Sequence, residues 1–155
     1  MSAASLLQVK DLSVAFRSGD EVTLAVDRVS FDIAKGETVA LVGESGSGKS
    51  VTALSILKLL TYPPASHPSG SMLFKGEDLL QADENALRRV RGNEITMVFQ
   101  EPMTSLNPLH TIERQIGEII ALHTTLTGDT ARARIIALLE EVGLRDAESR
   151  LNAYP

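Results

Sequence analysis

The residues best suited to chemistry lie together in one short run, Gly43-Glu-Ser-Gly-Ser-Gly-Lys49-Ser50. The run matches the pattern G-x-x-x-x-G-K-[ST] at every fixed position. Gly46 and Gly48 let the backbone curl so that successive N–H groups point at one anion, and a following helix adds its N-terminal partial positive charge. The Lys49 ammonium suits the β- and γ-phosphates, and the Ser50 hydroxyl is a hard oxygen ligand of the kind that Mg²⁺ takes. We therefore predict a nucleotide-phosphate site in this loop.

The loop needs a strand before it and a helix after it, and the sequence supplies candidates for both. Residues 38–42 are apolar without alternation, which predicts a short strand buried on both faces, as in a parallel sheet. Residues 49–60 are rich in helix formers. The order strand, glycine-rich loop, helix indicates an α/β fold of the P-loop NTPase type.

The flanking segments predict further strands. Apolar residues nearly alternate over residues 7–33, which favours antiparallel strands joined by a hairpin at Ser18-Gly19-Asp20. The prolines and glycine of residues 63–70 indicate an exposed loop, and residues 72–74 a short strand. Residues 95–99 read as a second buried strand. We thus expect N-terminal antiparallel strands, a partial parallel core sheet and the Gln100 loop within residues 1–110.

From Thr111 onward the pattern becomes helical, which predicts the start of a helical subdomain over residues 111–155. One apolar face contains Ile112, Ile116, Ile119, Ile120 and His123, and a second contains Ile135, Leu138, Leu139 and Val142. Residues 135–141 superficially resemble an apolar strand followed by two acids, yet their spacing favours a helix. Asp83 is placed to cap a short helix that ends before Gly92.

Composition excludes several classes of protein. The 155 residues carry a net charge of −5 and no cysteine, which disfavours nucleic-acid binding and excludes disulfides and thiolate metal sites. The longest apolar run is residues 135–139, too short for direct membrane insertion. The N-terminus lacks the pattern of a secretory signal, so we expect a cytoplasmic protein. We interpret Arg88, Arg89 and Arg91 as a solvated basic helix face.

Three features together carry a family resemblance that spans residues 1–155. The run Leu41–Val51 resembles the Walker A region of ATP-binding cassette (ABC) transporter ATPases. Residues 96–108, Thr-Met-Val-Phe-Gln-Glu-Pro-Met-Thr-Ser-Leu-Asn-Pro, are similar to the Q-loop segment of the oligopeptide/dipeptide importer branch. Phe16 matches the position of the aromatic residue that stacks on adenine, although strand alternation alone would also place an aromatic side chain there.

The resemblance implies a cytoplasmic ATPase subunit, peripheral on the inner face of the membrane, that powers peptide uptake. It implies Lys49 and Gln100 as catalytic residues, and Ser50 and Gln100 as ligands of Mg²⁺. Its partners would be transmembrane permease subunits, docked through residues 100–110, and a second ATPase domain. ATP would lie against a set of residues in the loop and one in the first strand: Phe16, Ser45, Gly46, Ser47, Gly48, Lys49, Ser50 and Val51.

The sequence also departs from the family pattern. It contains no Walker B strand with its Asp and catalytic Glu, no L-S-G-G-Q signature and no switch histidine. Residues 153–155 resemble those just before the signature. We therefore expect a truncated ATPase domain that binds ATP without turnover and is only marginally stable.

Other functions remain open at this point. One alternative is a soluble ABC ATPase without a membrane partner, acting in repair or translation. The surface of residues 100–110, which in transporters receives a coupling helix, would discriminate between the two. A small P-loop kinase would also have the phosphate-binding loop, but it needs a lid with Arg residues and an acceptor site, so an acceptor pocket beside Lys49 would favour it. A GTPase is disfavoured because the strings N-K-x-D and D-x-x-G do not occur.

Overall fold

A computed structural model describes residues 5–99 and 106–155, which form two compact units, Met1–Thr96 and Met97–Pro155. The first unit contains β1 (Ser5–Ser18), β2 (Glu21–Ala34), α1 (Lys49–Ile56), β3 (Ala65–Phe74), β4 (Glu77–Asp78) and α2 (Glu84–Val90). The second contains α3 (Ile112–His123), α4 (Gly128–Glu141) and α5 (Ala147–Arg150). The predicted domain boundary after residue 110 remains a prediction.

The first unit is built on a four-stranded antiparallel sheet in the order β2-β1-β3-β4. β1 and β2 form the predicted hairpin, in which Ser18 pairs with Glu21. β1 is paired on both sides, and its residues Val9, Leu12 and Val14 are almost fully buried together with Met72 of β3. A main part of the aliphatic core of this unit therefore lies along β1.

β3 is longer than the sequence indicates, since it begins at Ala65 and includes most of the predicted loop. Its first half pairs with β1 across two register shifts. The Ser69 hydroxyl donates to the carbonyl of Asp11 and contacts the Ser13 hydroxyl at 2.8 Å. Long-range pairing with β1 thus overrides the low strand propensity of residues 65–70.

The predicted parallel core sheet is not formed in the described part of the chain. Residues 37–44 and 96–99 lie outside every strand. Val42 is 91% exposed and Val98 is 96% exposed, although the sequence predicts buried positions. A strand gains its hydrogen bonds only from a neighbour, and no segment within residues 5–99 and 106–155 pairs with either run. These two runs therefore remain unpaired in the described part of the chain.

The second unit is helical, as predicted. Ile120 of α3, Ile135 and Leu139 of α4, and Leu151 form its buried core. The run Ile135–Leu139 lies inside α4, which confirms the helical interpretation over a strand. Within the predicted faces Ile119 and Val142 are wrongly placed, because they are 54% and 74% exposed and lie outside the buried core. Across the described ranges, no helix is both long and apolar enough to cross a membrane.

His67 of β3 is a titratable residue packed into the first unit. Its Nε2 lies 2.7 Å from the Tyr62 hydroxyl, and its Nδ1 is buried without a protein hydrogen-bond partner among the described residues. Burial lowers the pKa of His67 below its ordinary value, the charge of Lys58 lowers it further, and the Ser13 backbone partly opposes both. The folded protein consequently favours the neutral imidazole.

We expect this residue to make stability depend on pH. Because the unfolded chain protonates His67 near pH 6.5 and the folded chain only at lower pH, its contribution is complete above about pH 6.5 and is lost as the pH falls. Thermal unfolding between pH 7.5 and 5 should show a shallower fall in Tm for His67→Gln than for the parent chain. His123→Gln, which alters an exposed histidine, is the control. An equal fall in Tm with pH in the parent chain and in both variants would contradict the expectation.

Candidate functional site

The predicted phosphate-binding loop leads directly into α1, whose first residue is Lys49. Gly48 is the N-cap residue with φ 86°, and Gly46 also has a positive φ of 81°. The Gly48 carbonyl accepts hydrogen bonds from the backbone N–H and the hydroxyl of Thr52, at 2.8 and 2.9 Å. The first turn of α1 carries no acidic residue, so its N-terminal partial positive charge is not neutralised locally.

β2 approaches the loop closely at Gly48. In the β1–β2 ladder Val14 pairs with Val26 and Ala15 with Leu24, so Ala25 is left as an extra residue in a bulge. A Cβ atom at position 48 would lie 2.6 Å from the Ala25 carbonyl oxygen and 3.1 Å from Cγ2 of Val26. Only glycine fits this approach, and it also meets the positive φ.

The Lys49 side chain folds back over the loop. Its ammonium donates to the carbonyls of Gly43 and Glu44 at 2.8 and 2.6 Å, and to the Ser47 hydroxyl at 3.3 Å. These three partners are neutral oxygens, so the full positive charge has no counter-ion in these contacts. The loop thereby holds a half-buried cation against its own backbone.

A cavity of about 150 Å³ lies at this point, formed by the loop, the start of α1 and the bulge of β2. It is lined by Ala25, Gly46, Ser47, Gly48, Lys49, Ser50 and Val51. Six predicted binding residues are therefore brought together, whereas Ser45 does not line the cavity. Ala25 was missed by sequence reasoning, because nothing in an alternating strand marks the position of a bulge.

Comparison with known proteins identifies the family of this chain. The sequence profile of the family described as "ABC transporter" matches residues 26–155. The chain belongs to the ABC transporter family. This membership confirms the resemblance found in the sequence, and it favours the ABC interpretation over the small-kinase alternative.

Curated ABC relatives share most of this chain. The "Peptidoglycan transport ATP-binding protein YejF" of Agrobacterium fabrum is 69% identical over 97% of the chain and 28% of its own length. The "Oligopeptide transport ATP-binding protein OppD" of Bacillus subtilis is 45% identical over 97% of the chain and 42% of its own length. The chain thus spans less than half the length of either relative.

A solved structure shows the same fold. The dimeric ATP-binding cassette MJ0796, bound to ADP and Pi in a post-hydrolysis state, matches with a TM-score of 0.78 at 23% identity. The match covers 96% of this chain and 61% of the cassette. It confirms the ABC cassette fold and the α/β class.

Two predicted residues of the ABC site lie outside the loop in the sequence, Phe16 and Gln100. Phe16 is half-buried in β1, where it pairs with Thr23 of β2 and Ala65 of β3. It is absent from the cavity lining, so stacking on adenine remains a prediction. Gln100 lies outside the described residues, and its proposed contacts with Mg²⁺ and with water remain predictions as well.

Ser50 is the predicted metal ligand that the structure does place. It lines the cavity directly after Lys49, and its contact with Mg²⁺ remains a prediction. Among the residues that the structure describes, no group of three His, Cys, Asp or Glu residues could hold a metal by itself. A hydroxyl beside a phosphate-binding loop fits Mg²⁺, which keeps much of its shell as water and phosphate oxygen.

The interpretation of the three arginines as one solvated face is wrong for Arg91. Arg88 is 76% exposed in its side chain, but Arg91 is only 25% exposed. Arg91 turns toward the end of α1, where its Nε and Nη2 donate to the carbonyls of Leu57 and Lys58. Helical periodicity could not reveal this, because Arg91 follows the last residue of α2 and has extended backbone angles.

We expect the Ala25 approach to control the shape of the loop. Gly48→Ala should reduce ATP affinity more than tenfold, because it adds a clash with the Ala25 carbonyl to the cost of a positive φ. Gly46→Ala is the matched control, since Gly46 has a similar φ but open space at its Cβ position. Isothermal titration with ATP and Mg²⁺ should rank the two; equal losses would show that the close approach is unimportant.

Proposed function

We propose that this chain is the ATP-binding part of an ABC importer, and that its parent protein hydrolyses ATP to drive the uptake of peptide-containing cargo. The observation that carries the proposal is the cavity of the glycine-rich loop, with the Lys49 ammonium held over it at the N-terminus of α1. Family membership and the named relatives support the rest of the assignment.

ATP binding would exchange the partners of Lys49. Its ammonium now contacts two carbonyls and a hydroxyl, which are neutral acceptors. Phosphate oxygens would replace them with charge-assisted hydrogen bonds, which are roughly twice as strong as neutral ones. The N–H groups at the start of α1 would contribute further donors to the same phosphate. Binding would therefore reorganise one side chain while the glycine backbone keeps its shape.

Mg²⁺ would be held by Ser50 and, as the resemblance implies, by Gln100. When bound, the ion neutralises phosphate charge and fixes the orientation of the phosphate oxygens. The Ser50 hydroxyl would supply one neutral ligand, and Lys49 would stabilise the charge that develops on the transferred phosphoryl group. Phe16, on the sheet that also supplies Ala25, would offer a face for the adenine ring.

Hydrolysis would need a general base that we do not find in this sequence. The only apolar run followed by acids, residues 135–141, lies in α4 and ends at exposed positions, so Glu140 and Glu141 do not follow a core strand. We therefore propose that the 155-residue chain binds ATP without steady turnover. The unpaired residues 37–44 would receive a neighbouring strand from another part of the parent protein.

The proposed partners are permease subunits and a second ATPase domain. Residues 100–110 would contact the permease; in their described part Leu109 is 81% exposed, and Gln115 holds the segment by hydrogen bonds to Asn107 and His110. The protein would then lie on the cytoplasmic face of the membrane. Its cargo class follows the names of the relatives, one an oligopeptide and one a peptidoglycan transport protein.

Replacement of Lys49 tests ATP binding directly. Lys49→Ala should weaken the affinity for ATP with Mg²⁺ by about tenfold to a hundredfold, as expected for the loss of charged hydrogen bonds worth about 1.5–3 kcal/mol. Lys35→Ala removes an exposed lysine from the turn after β2, outside the loop, and should leave the affinity for ATP unchanged. Equal affinities in the two variants would refute the proposed site.

A second experiment separates binding from turnover. The 155-residue chain should release phosphate from ATP about 10²–10⁴ times more slowly than the full-length parent protein, because general-base help is worth that factor. Both proteins should retain ATP binding in the same titration. Comparable turnover by the short chain, abolished by Lys49→Ala, would show that its own residues suffice for hydrolysis.

A further inference from the structure

The C-terminal end of the phosphate-binding helix α1 is held by one distant side chain. The carbonyl oxygens of Leu57 and Lys58, just beyond α1, accept hydrogen bonds from Nε and Nη2 of Arg91 at 2.8 and 3.1 Å. Lys58 has a positive φ of 48°, so the helix has ended there, and the carbonyls of Leu57 and Lys58 lie beyond its own hydrogen-bond ladder. Arg91 supplies their hydrogen-bond donors from the end of α2.

Arg91 is itself fixed in position. Its backbone N–H donates to the carbonyl of Leu87. The N–H of Ile95 donates to the carbonyl of Val90, so Arg91 is the first residue of a hydrogen-bonded turn. Its third nitrogen group, Nη1, lies 2.8 Å from a carboxylate oxygen of Glu84 in the first turn of α2. The guanidinium therefore bonds at all three nitrogens, and a side chain tied in this way has little freedom to move.

The charge of Arg91 suits the place it occupies. The C-terminus of a helix carries a partial negative charge, and a cation there stabilises the helix. α1 has eight residues and is about 12 Å long, so a shift at one end is transmitted to the other. The other end of α1 carries Lys49 and Ser50 and lines the cavity of the loop.

We infer that Arg91 is a positioning residue for the nucleotide site, which fixes the far end of α1 and so holds the loop and Lys49 in the geometry that ATP requires. The inference rests on the proposed function, because it assumes that ATP binds at this loop. It predicts that ATP affinity depends on a residue at the opposite end of the helix from the phosphates.

The test measures ATP affinity and thermal stability together in the 155-residue chain, by titration with ATP and Mg²⁺ and by a thermal melt. Arg91→Ala should weaken ATP binding about fivefold or more, the lower range of coupling between separate sites. Arg91→Lys keeps the cation but not the planar fork that reaches both carbonyls, so an intermediate affinity is expected. Arg88→Ala, on the exposed side of the same helix, should leave affinity unchanged.

Leu87→Ala separates positioning from stability. Leu87 is buried in α2, and its truncation should lower Tm at least as much as Arg91→Ala does. It removes no hydrogen bond to the carbonyls of Leu57 and Lys58. Weaker ATP binding in Arg91→Ala with near-normal binding in Leu87→Ala supports the inference. Normal binding in Arg91→Ala, or a loss that follows Tm equally in both variants, overturns it.

Two further outcomes are also decisive. If Arg91→Ala does not fold, Arg91→Lys replaces it: weakened binding at normal Tm supports the inference, and normal binding overturns it. Lys49→Ala in the same experiment separates this inference from the proposed function. Unchanged affinity in Lys49→Ala refutes the nucleotide site itself, whereas lost affinity there with normal affinity in Arg91→Ala refutes the positioning role alone.

Discussion

The contact between the Ala25 carbonyl and Gly48 is the constraint on which the site depends. A bulge in β2 leaves Ala25 outside the ladder, and the loop passes so close that a Cβ atom at position 48 would lie 2.6 Å from its oxygen. The antiparallel sheet thus sets the position at which α1 begins. Lys49 and Ser50 follow at once, so their positions derive from the register of the hairpin rather than from the loop alone.

α1 is held at both ends by interactions that its own sequence does not contain. At its start, the sheet limits residue 48 to glycine; just past its end, Arg91 bonds the carbonyls of Leu57 and Lys58. Between them only Thr52 and Ser55 are buried, and both hydroxyls donate back to carbonyls of the preceding turn. A helix with so little apolar burial depends on its ends for orientation, because packing of an apolar face usually supplies most helical stability.

The sequence predicted the features that depend on local pattern. The loop, the hairpin at Ser18–Asp20 and the two long helices follow from spacing and residue type, because the signal for each lies within one short stretch of the chain. The features that sequence reasoning missed depend on distant partners. Residues 38–42 have the composition of a core strand but no partner among the described residues, while residues 65–70 look like a loop yet pair with β1. Ala25 and Arg91 gave no signal, because a bulge and a side-chain cap are set by tertiary geometry.

The β1–β2 hairpin precedes the loop in the chain, and this has a consequence for the order of folding. The four strands of the antiparallel sheet lie within residues 5–78, and β1 and β2 are adjacent in the chain, so their pairing needs only a short loop closure. A hairpin forms in about 1–10 μs, whereas a ribosome adds about 5–20 residues each second. The bulge that carries Ala25 can therefore exist before the loop has left the ribosome. On this timetable the hairpin of β1 and β2, which precedes the loop in the chain, is the template against which the glycine-rich loop first takes shape, and β3 joins the sheet afterwards.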